Sequence, residues 1–367
     1  MSTPSANSAP VPPGGTIGIL GGGQLGRMLA LAAARLGHKT HIYSPPDEDA
    51  PAFQVSSAQT RASFDDRAAL ENFARACDVV TFEWENVPVE TVETIAAIKP
   101  VFPRAATLRV TQDRFEEKSF VASLGLKTAP FRNVTTIQEA KDAATALGTP
   151  SILKTRRMGY DGKGQAKLRK AGDILESFVR FKSAPCILEG FVDFEFEASV
   201  VAVRGRDGFF AAYDPPENIH GDHILRRSIV PSRLTSAQTG HAKSIAKKIA
   251  DTLDFVGVLA VELFVMKDGT LLVNEIAPRV HNSGHWTIDA CLVSQFENHI
   301  RAIAGWPLGS TDRHSDAVMD NLIGEEAADW NTLAAKGGAL HLYGKAEIRA
   351  SRKMGHVTTI RPRTGAQ

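Results

Sequence analysis

Cysteine is scarce, with Cys77, Cys186 and Cys291 scattered over 367 positions. Three cysteines so far apart fit neither a disulfide framework nor a Cys-x-x-Cys metal site. Reduced, mostly buried thiols in a cytoplasmic protein are the expectation. Net charge is also missing. Lysine and arginine number 42 against 41 aspartate and glutamate, a balance of +1. Nothing therefore points to nucleic acid or to a membrane surface as a partner. No apolar run reaches the roughly 18 residues needed to cross a bilayer. The first fifteen residues have neither a basic start nor an apolar stretch, so they do not form a secretory signal. They are rich in Ser, Pro, Ala and Gly, and a disordered tail over 1–15 is expected. What remains is an ordinary soluble composition, 43% hydrophobic and 23% charged. The length suits two or three domains.

The chain begins with strand and helix patterns in alternation. Thr16–Leu20 reads as a short apolar strand. Gly21-Gly22-Gly23-Gln24-Leu25-Gly26 follows, then a helical pattern to Leu36 closed by Gly37. Lys39–Tyr43 and Asp78–Phe82 read as strands, the second preceded by a helix near 66–76. This alternation implies a parallel sheet. Pro100 and Pro103 punctuate the end of a first domain at about residue 104. Helices are expected at 105–110 and 113–124, and strands at 151–154, 187–189 and 194–203. An amphipathic helix is expected at 236–253. A central domain over 105–305 and a small C-terminal unit over 306–367 complete the division.

Two carboxylates in one hairpin carry the sharpest chemical signal. Apolar, β-branched-rich runs flank Asp268-Gly269, a strong hairpin signature. A two-residue turn there pairs Lys267 with Thr270, Phe264 with Val273 and Glu262 with Glu275. Like charges opposite one another destabilise a sheet, and buried unpaired charge costs more. Something cationic should sit between them. A hard divalent cation takes carboxylate oxygens together with substrate phosphates, so a metal-nucleotide site is expected. Asn274 points to the opposite face in this register, and only a bulge or twist would turn it toward the site.

Three further segments carry polar chemistry. Gly21-x-Gly23-x-x-Gly26 lies between a strand and a helix, where main-chain amides favour an anion. A nicotinamide dinucleotide would want an acidic residue at the end of the second strand, and Ile42-Tyr43-Ser44 has none. A phosphate of another substrate, or simply a tight turn, remains. Lys154 ends a strand and opens a loop over 156–165 rich in cations and glycine, suited to phosphates. The alternative is a flexible basic surface loop. In Asn274–Trp286, His281 and His285 stand four apart, but the intervening Asn-Ser-Gly does not look helical. A polar loop gripping a small substrate is favoured over zinc. Lys345, Arg349, Arg352 and Lys353 form a late basic cluster, either a clamp for phosphate or carboxylate or a solvated patch.

Taken in order, the strings 21–28, 81–88, 159–165, 274–286 and 352–356 make the chain resemble the ATP-grasp enzymes. More narrowly, it is similar to the 5-(carboxyamino)imidazole ribonucleotide synthetase family of purine biosynthesis. The likeness runs from about Thr16 to Thr359. The N-terminal tail is extra, and the chain ends soon after Met354-Gly355-His356, where many relatives continue. The fold implied is mixed α/β and α+β. It is an ATP-grasp fold with a parallel-sheet N-terminal domain, a two-lobed central domain and a small C-terminal domain. The reaction implied is carboxylation of the exocyclic amine of 5-aminoimidazole ribonucleotide with ATP and bicarbonate, through carboxyphosphate.

The resemblance also implies roles. Glu262 and Glu275 would hold Mg²⁺, or Mn²⁺, with ATP. Arg109, Lys154 and the loop residues Gly159, Gly162, Lys163, Gly164 and Gln165 would bind ATP phosphates, the loop closing as a lid. Glu189, Gly190, Phe191, Val192 and Glu197 would hold adenine and ribose, with His220 and Asn274 completing that site. Gly23, Gln24 and Leu25 would meet the ribonucleotide, together with Asn282 and Ser283. Lys345, Arg352 and Lys353 would grip its phosphate. Tyr160, Asp161, Arg279, His281 and Lys345 would surround the carboxylation centre. A homodimer is implied as well. A formate-dependent glycinamide ribonucleotide transformylase, an NAD-dependent oxidoreductase and a non-catalytic nucleotide-binding module are the rivals.

Overall fold

A computed structural model describes residues 9–159, 163–170 and 172–364. The N-terminal domain is a parallel sheet of β1 (Thr16–Leu20), β2 (Lys39–Ser44), β3 (Ala58–Arg61) and β4 (Val79–Phe82), in the order β3-β2-β1-β4. Helix α1 (Gln24–Arg35) follows β1 directly, and its Leu25, Met28, Leu29, Ala30 and Ala33 are buried. Helices α2 (Arg67–Arg75) and α3 (Val89–Ala96) flank β4 in the chain.

Residues 9–15 depart from the expected tail. Val11 is buried, its N–H donates to Ala304 O at 2.9 Å, and its carbonyl accepts from the Trp306 indole at 2.7 Å. One apolar side chain with both main-chain groups satisfied docks this segment, so the disorder expected over 9–15 is not found; residues 1–8 of the expected tail lie outside the described residues.

Two helices lead inward. They are α4 (Ala105–Thr111) and α5 (Arg114–Ser123). Asp113 caps α5 by accepting from the N–H groups of Phe115 and Glu116. A small antiparallel lobe follows, built from β5 (Phe131–Val134), α6 (Ile137–Leu147), β6 (Ser151–Thr155), β7 (Gln165–Leu168), α7 (Asp173–Arg180) and β8 (Cys186–Gly190). Its sheet order is β5-β8-β6-β7.

The second lobe holds β9 (Phe194–Arg204), β10 (Phe210–Ala212), β11 (Glu217–Gly221), β12 (Ile224–Val230), α8 (Ser236–Thr252), β13 (Gly257–Met266) and β14 (Leu271–Ala277). Thr235 and Gln238 form a reciprocal capping box at the start of α8. After α9 (Thr287–Ala290) and α10 (Gln295–Ala304), the C-terminal residues supply β15 (Ser315–Ile323), α11 (Trp330–Ala335), β16 (Ala339–Leu342) and β17 (Lys353–Pro362). These last strands do not form a sheet of their own. They continue the second lobe's sheet in the order β14-β13-β9-β11-β12-β15-β17-β16.

Helix α10 joins the N-terminal sheet to this large sheet. The buried His299 on α10 bonds Thr81 Oγ1 at 2.8 Å through Nε2. Its Nδ1 accepts from Val258 N–H at 3.0 Å. Burial holds its pKa down to about 3, so the ring is a neutral strut.

Candidate functional site

Glu262 and Glu275 do face one another across β13 and β14, but by a different route from the simple count. The turn has three residues, not two. Gly269 N–H donates to Met266 O at 2.8 Å, and Met266 N–H to Thr270 O at 2.9 Å. Gly269 takes φ +82°, the left-handed residue of a type I turn with a bulge. The pairs near the turn are therefore Val265 with Leu271 and Phe264 with Leu272. A second irregularity between Glu262 and Leu263 leaves Asn274 unopposed and restores the rung. The bulge that would turn Asn274 is thus present. Its carbonyl accepts from Lys118 Nζ at 3.1 Å.

Each of these carboxylates already has a side-chain partner. Glu262 Oε1 lies 3.1 Å from His281 Nε2, and Glu275 Oε2 accepts from Arg114 Nη1 at 3.0 Å. Burial would raise the Glu262 pKa, but the bond to His281 outweighs it and holds the carboxyl well below the usual range. Behind them sits Glu117, whose carboxylate accepts from Ile276 N–H and whose pKa is pushed up by burial and by Glu275.

The expected nucleotide residues lie between the lobes. Lys154 Nζ donates to Glu189 Oε2 at 2.9 Å, and Lys118 Nζ lies 3.6 Å from Glu189 Oε1. Burial acts to raise the Glu189 pKa, but the two lysines dominate and bring it to about 2. Glu189 Oε1 has no hydrogen-bond partner among the described residues. Gly190 and Phe191 anchor through their N–H groups to Pro130 O and Pro150 O, and Val192 continues the hinge. Glu197 Oε2 bonds His220 Nδ1 at 2.7 Å; burial would lower that histidine's pKa, yet this bond raises it.

The glycine loop is fixed at both stems. Gly159 O accepts from Arg114 Nη2 at 2.9 Å, and Thr155 N–H donates to Gly164 O at 2.8 Å. Gly164 has φ +71°, and a Cβ there would come within 2.5 Å of Thr155 Oγ1. Gln165 Nε2 bonds His223 at 3.1 Å, and Lys163 is exposed beside it. Tyr160, Asp161 and Gly162 fall outside the described residues.

Arg109 is placed differently from the expectation. It ends α4 as an exposed side chain paired with Glu93. The arginine on the hairpin carboxylate is Arg114, five residues further on. Asp113 begins a new helix there, so the two arginines do not share a helical face.

The glycine turn also differs from an open anion site. Gly23 N–H donates to Glu83 Oε1 at 2.9 Å, and Gly26 N–H to Glu83 Oε2 at 3.2 Å. The chain itself supplies the anion, from the segment after β4. Gln24 is partly exposed at this turn, but Leu25 buries its side chain in the core, leaving only its main chain for a ligand.

The late basic cluster docks against residues 49–54, the segment that follows β2. Gln54 Nε2 donates to Gly344 O at 2.7 Å and Arg352 Nη1 lies 3.1 Å from Asp49 Oδ2. Lys345 Nζ donates to Lys353 O at 2.8 Å. Burial, with Arg352 nearby, pushes the Lys345 pKa down to about 8, while Glu83 and Asp49 pull the other way.

The 281–285 segment completes the assembly. Arg279 is held bidentate by Glu85. His281 Nδ1 bonds Ser283 Oγ at 2.8 Å. Ser283 is wholly buried, with Oγ on Ser199 Oγ at 2.7 Å, so its hydroxyl faces the interior instead of a ligand. Asn282 and Asn321 exchange two amide bonds of 2.9 and 2.7 Å. His285 turns inward, its Nδ1 on Gln295, and does not converge with His281 on a shared ion.

Arg114, Lys118, Glu83, Glu85 and Glu117 were not singled out by the sequence reading. Two of them were within reach. Glu83 and Glu85 follow a parallel strand at its carboxyl end, where α/β sheets place ligands.

Comparison with known proteins agrees with this geometry. Residues 15–112 match the ribonucleotide synthetase preATP-grasp domain and residues 119–296 the ATP-grasp domain. Residues 317–366 match the phosphoribosylaminoimidazole carboxylase C-terminal domain. The N5-carboxyaminoimidazole ribonucleotide synthase of Brucella melitensis is 53% identical, over 96% of this chain and 98% of that one. The Staphylococcus aureus N5-carboxyaminoimidazole synthetase complexed with ADP superposes with TM-score 0.93 at 36% identity, covering 98% and 96% of the two chains. The Aspergillus clavatus enzyme in complex with ADP and 5-aminoimidazole ribonucleotide gives TM-score 0.87 at 31% identity, covering 96% and 95%. With three successive domains matched and near-complete coverage of such relatives, the chain belongs to the N5-carboxyaminoimidazole ribonucleotide synthase family of ATP-grasp ligases.

Proposed function

We propose that this chain joins bicarbonate to the exocyclic amine of 5-aminoimidazole ribonucleotide at the expense of ATP, releasing ADP and phosphate. The observation that carries this is the Glu262–Glu275 rung, flanked by nucleotide-site lysines on one side and by the Arg279–Lys345–Arg352 cluster on the other. Relatives bound to ADP and to the ribonucleotide support it.

The donor set fits a divalent cation. Two carboxylates share a rung, one partnered by His281 and the other by Arg114. Mg²⁺ or Mn²⁺ held there would neutralise phosphate charge during transfer. Lys154 would meet phosphate oxygens, and Glu189, with Gly190, Phe191 and Val192, would hold adenine and ribose. Arg352, released from Asp49, would take the ribonucleotide phosphate with Lys345 and Lys353. Arg279 and His281, with Tyr160 and Asp161, would hold bicarbonate and the acceptor amine. Closure of the 159–165 loop would keep carboxyphosphate from water. A cytoplasmic homodimer follows from the family resemblance and is checked by solution mass.

ADP release is measured with each co-substrate in turn. Productive turnover should need both bicarbonate and 5-aminoimidazole ribonucleotide. Turnover on formate with glycinamide ribonucleotide would replace this reading.

A further inference from the structure

His281 is held at its main chain by a side chain fourteen residues away. Gln295, the first residue of α10, is completely buried. Its Oε1 accepts from His281 N–H at 2.9 Å, and its Nε2 donates to His281 O at 2.7 Å. The same Nε2 lies 3.2 Å from His285 Nδ1. One amide thus satisfies both main-chain groups of one residue, as a neighbouring strand would.

The fit around this amide is close. A Cβ on Gly284 would come within 2.9 Å of three Gln295 side-chain atoms. Thr287 Oγ1 accepts from Gln295 N–H at 3.0 Å and donates to Gly284 O at 2.6 Å. The segment is tied at its side chains too. The His281 ring is braced by Ser283, and Ser283 leads through Ser199 to Asn218 and Ser228 in a buried polar chain. With its ring braced on one side, His281 presents Nε2 to Glu262.

We propose that Gln295 is a positioning residue for the carboxylation step, aiming the His281 imidazole through this bidentate main-chain clamp. The proposal rests on the reading that His281 faces the reacting groups. Residue chemistry makes the clamp specific. A primary amide offers one acceptor and one donor side by side, matching an N–H and a C=O on one residue. Glutamate accepts only and would set a carboxylate oxygen against the His281 carbonyl. Leucine keeps the approximate size but offers neither bond. Supporting residues of this kind hold a reacting group near its productive geometry.

The test is a double-mutant cycle on the full-length protein, reading coupled carboxylation and ADP release separately. Gln295→Leu, Gln295→Glu and Gly284→Ala perturb the clamp in three ways, so a variant that does not fold leaves two others. Each folded variant should lower kcat/KM for the ribonucleotide by about tenfold to a hundredfold, while KM for ATP moves less than about threefold. ADP released per product should rise. In a His281→Ala background the same changes should add almost nothing, because the clamp acts through the side chain already removed. Full additivity in that background overturns the proposal and leaves the function intact. Wild-type carboxylation by His281→Ala itself would overturn the proposal together with its placement of His281.

Discussion

Glu83 and the Glu262–Glu275 rung both bring carboxylate into the interior, but different kinds of partner balance them. Glu83 meets two main-chain amides at a helix start, which cannot leave. Glu262 and Glu275 meet the side chains of His281 and Arg114 and, among the described residues, no main-chain amide of a helix start. The first arrangement is a fixed lock that ties the glycine turn to the end of β4. The second would become exchangeable if, as proposed, a divalent cation took over the balancing charge. A glycine-rich turn is therefore not in itself an open anion site. An acidic pair met by side chains, with no main-chain amide between them, is the better sign of a ligand.

The largest effect should come from breaking the exchangeable set. Glu275→Gln should reduce ATP-dependent carboxylation by on the order of a thousandfold, because a neutral amide is a poor ligand for Mg²⁺. Its thermal stability without nucleotide should fall only modestly, since repulsion with Glu262 and Glu117 is relieved while the Arg114 ion pair is weakened. The stabilisation by Mg-ATP seen for wild type should largely vanish. Retained turnover would place the metal elsewhere.

Arg352→Ala sharpens the contrast at the substrate end. Loss of a charge-assisted phosphate contact, worth about 1.5–3 kcal/mol, should raise KM for the ribonucleotide roughly tenfold to a hundredfold. KM for ATP should hardly move, and equal weakening of both would put Arg352 outside the phosphate clamp.

The lock should respond in stability instead of ligand dependence. Glu83→Ala strands two main-chain N–H groups and should cost about 2–4 kcal/mol in denaturant unfolding. Glu83→Gln should lose less, because burial already pushes the Glu83 pKa up and disfavours its charged form. If Glu83→Ala unfolds like wild type, the turn is not held by this carboxylate.

The smallest effect is a pH dependence. Lys345 has its pKa lowered to about 8, so its charge is present below that pH and lost above it. KM for the ribonucleotide should therefore rise about threefold to tenfold between pH 7 and pH 9, as the clamp loses a cation. Lys345→Arg should flatten that rise, because arginine stays charged.

The sequence reading reached some of these features and missed others for identifiable reasons. The first strands and helices were readable because a parallel α/β unit repeats apolar runs and glycine stops. The facing glutamates were reached through two departures that cancel, an extra turn residue and an extra residue at Asn274. Periodicity registers neither. The C-terminal strands were missed because Ser315–Ile323 mixes polar and apolar residues, and a polar one, Asn321, is buried by a bond to the neighbouring strand. Arg114 was passed over although the break between the two short helices was expected, because nothing in the local pattern tells which arginine reaches the hairpin carboxylate. Glu83 at the glycine turn, like Asp49 on Arg352, is a contact across the fold with no local trace.

The continuity of the large sheet bears on which substrates can react. The metal rung stands on β13 and β14 at one end, and the phosphate cluster stands at the start of β17 near the other. Hydrogen-bonded strands connect them without a break, and the curl of the sheet brings Lys353 at the start of β17 within electrostatic reach of Glu262, so the backbone of the sheet fixes the frame in which the two sites face each other. If phosphate and metal bind as proposed, this sheet works as a ruler. An acceptor whose amine lay one bond nearer to its phosphate, or one bond further, would present its nitrogen off the mark, and no movement of the glycine loop would correct it.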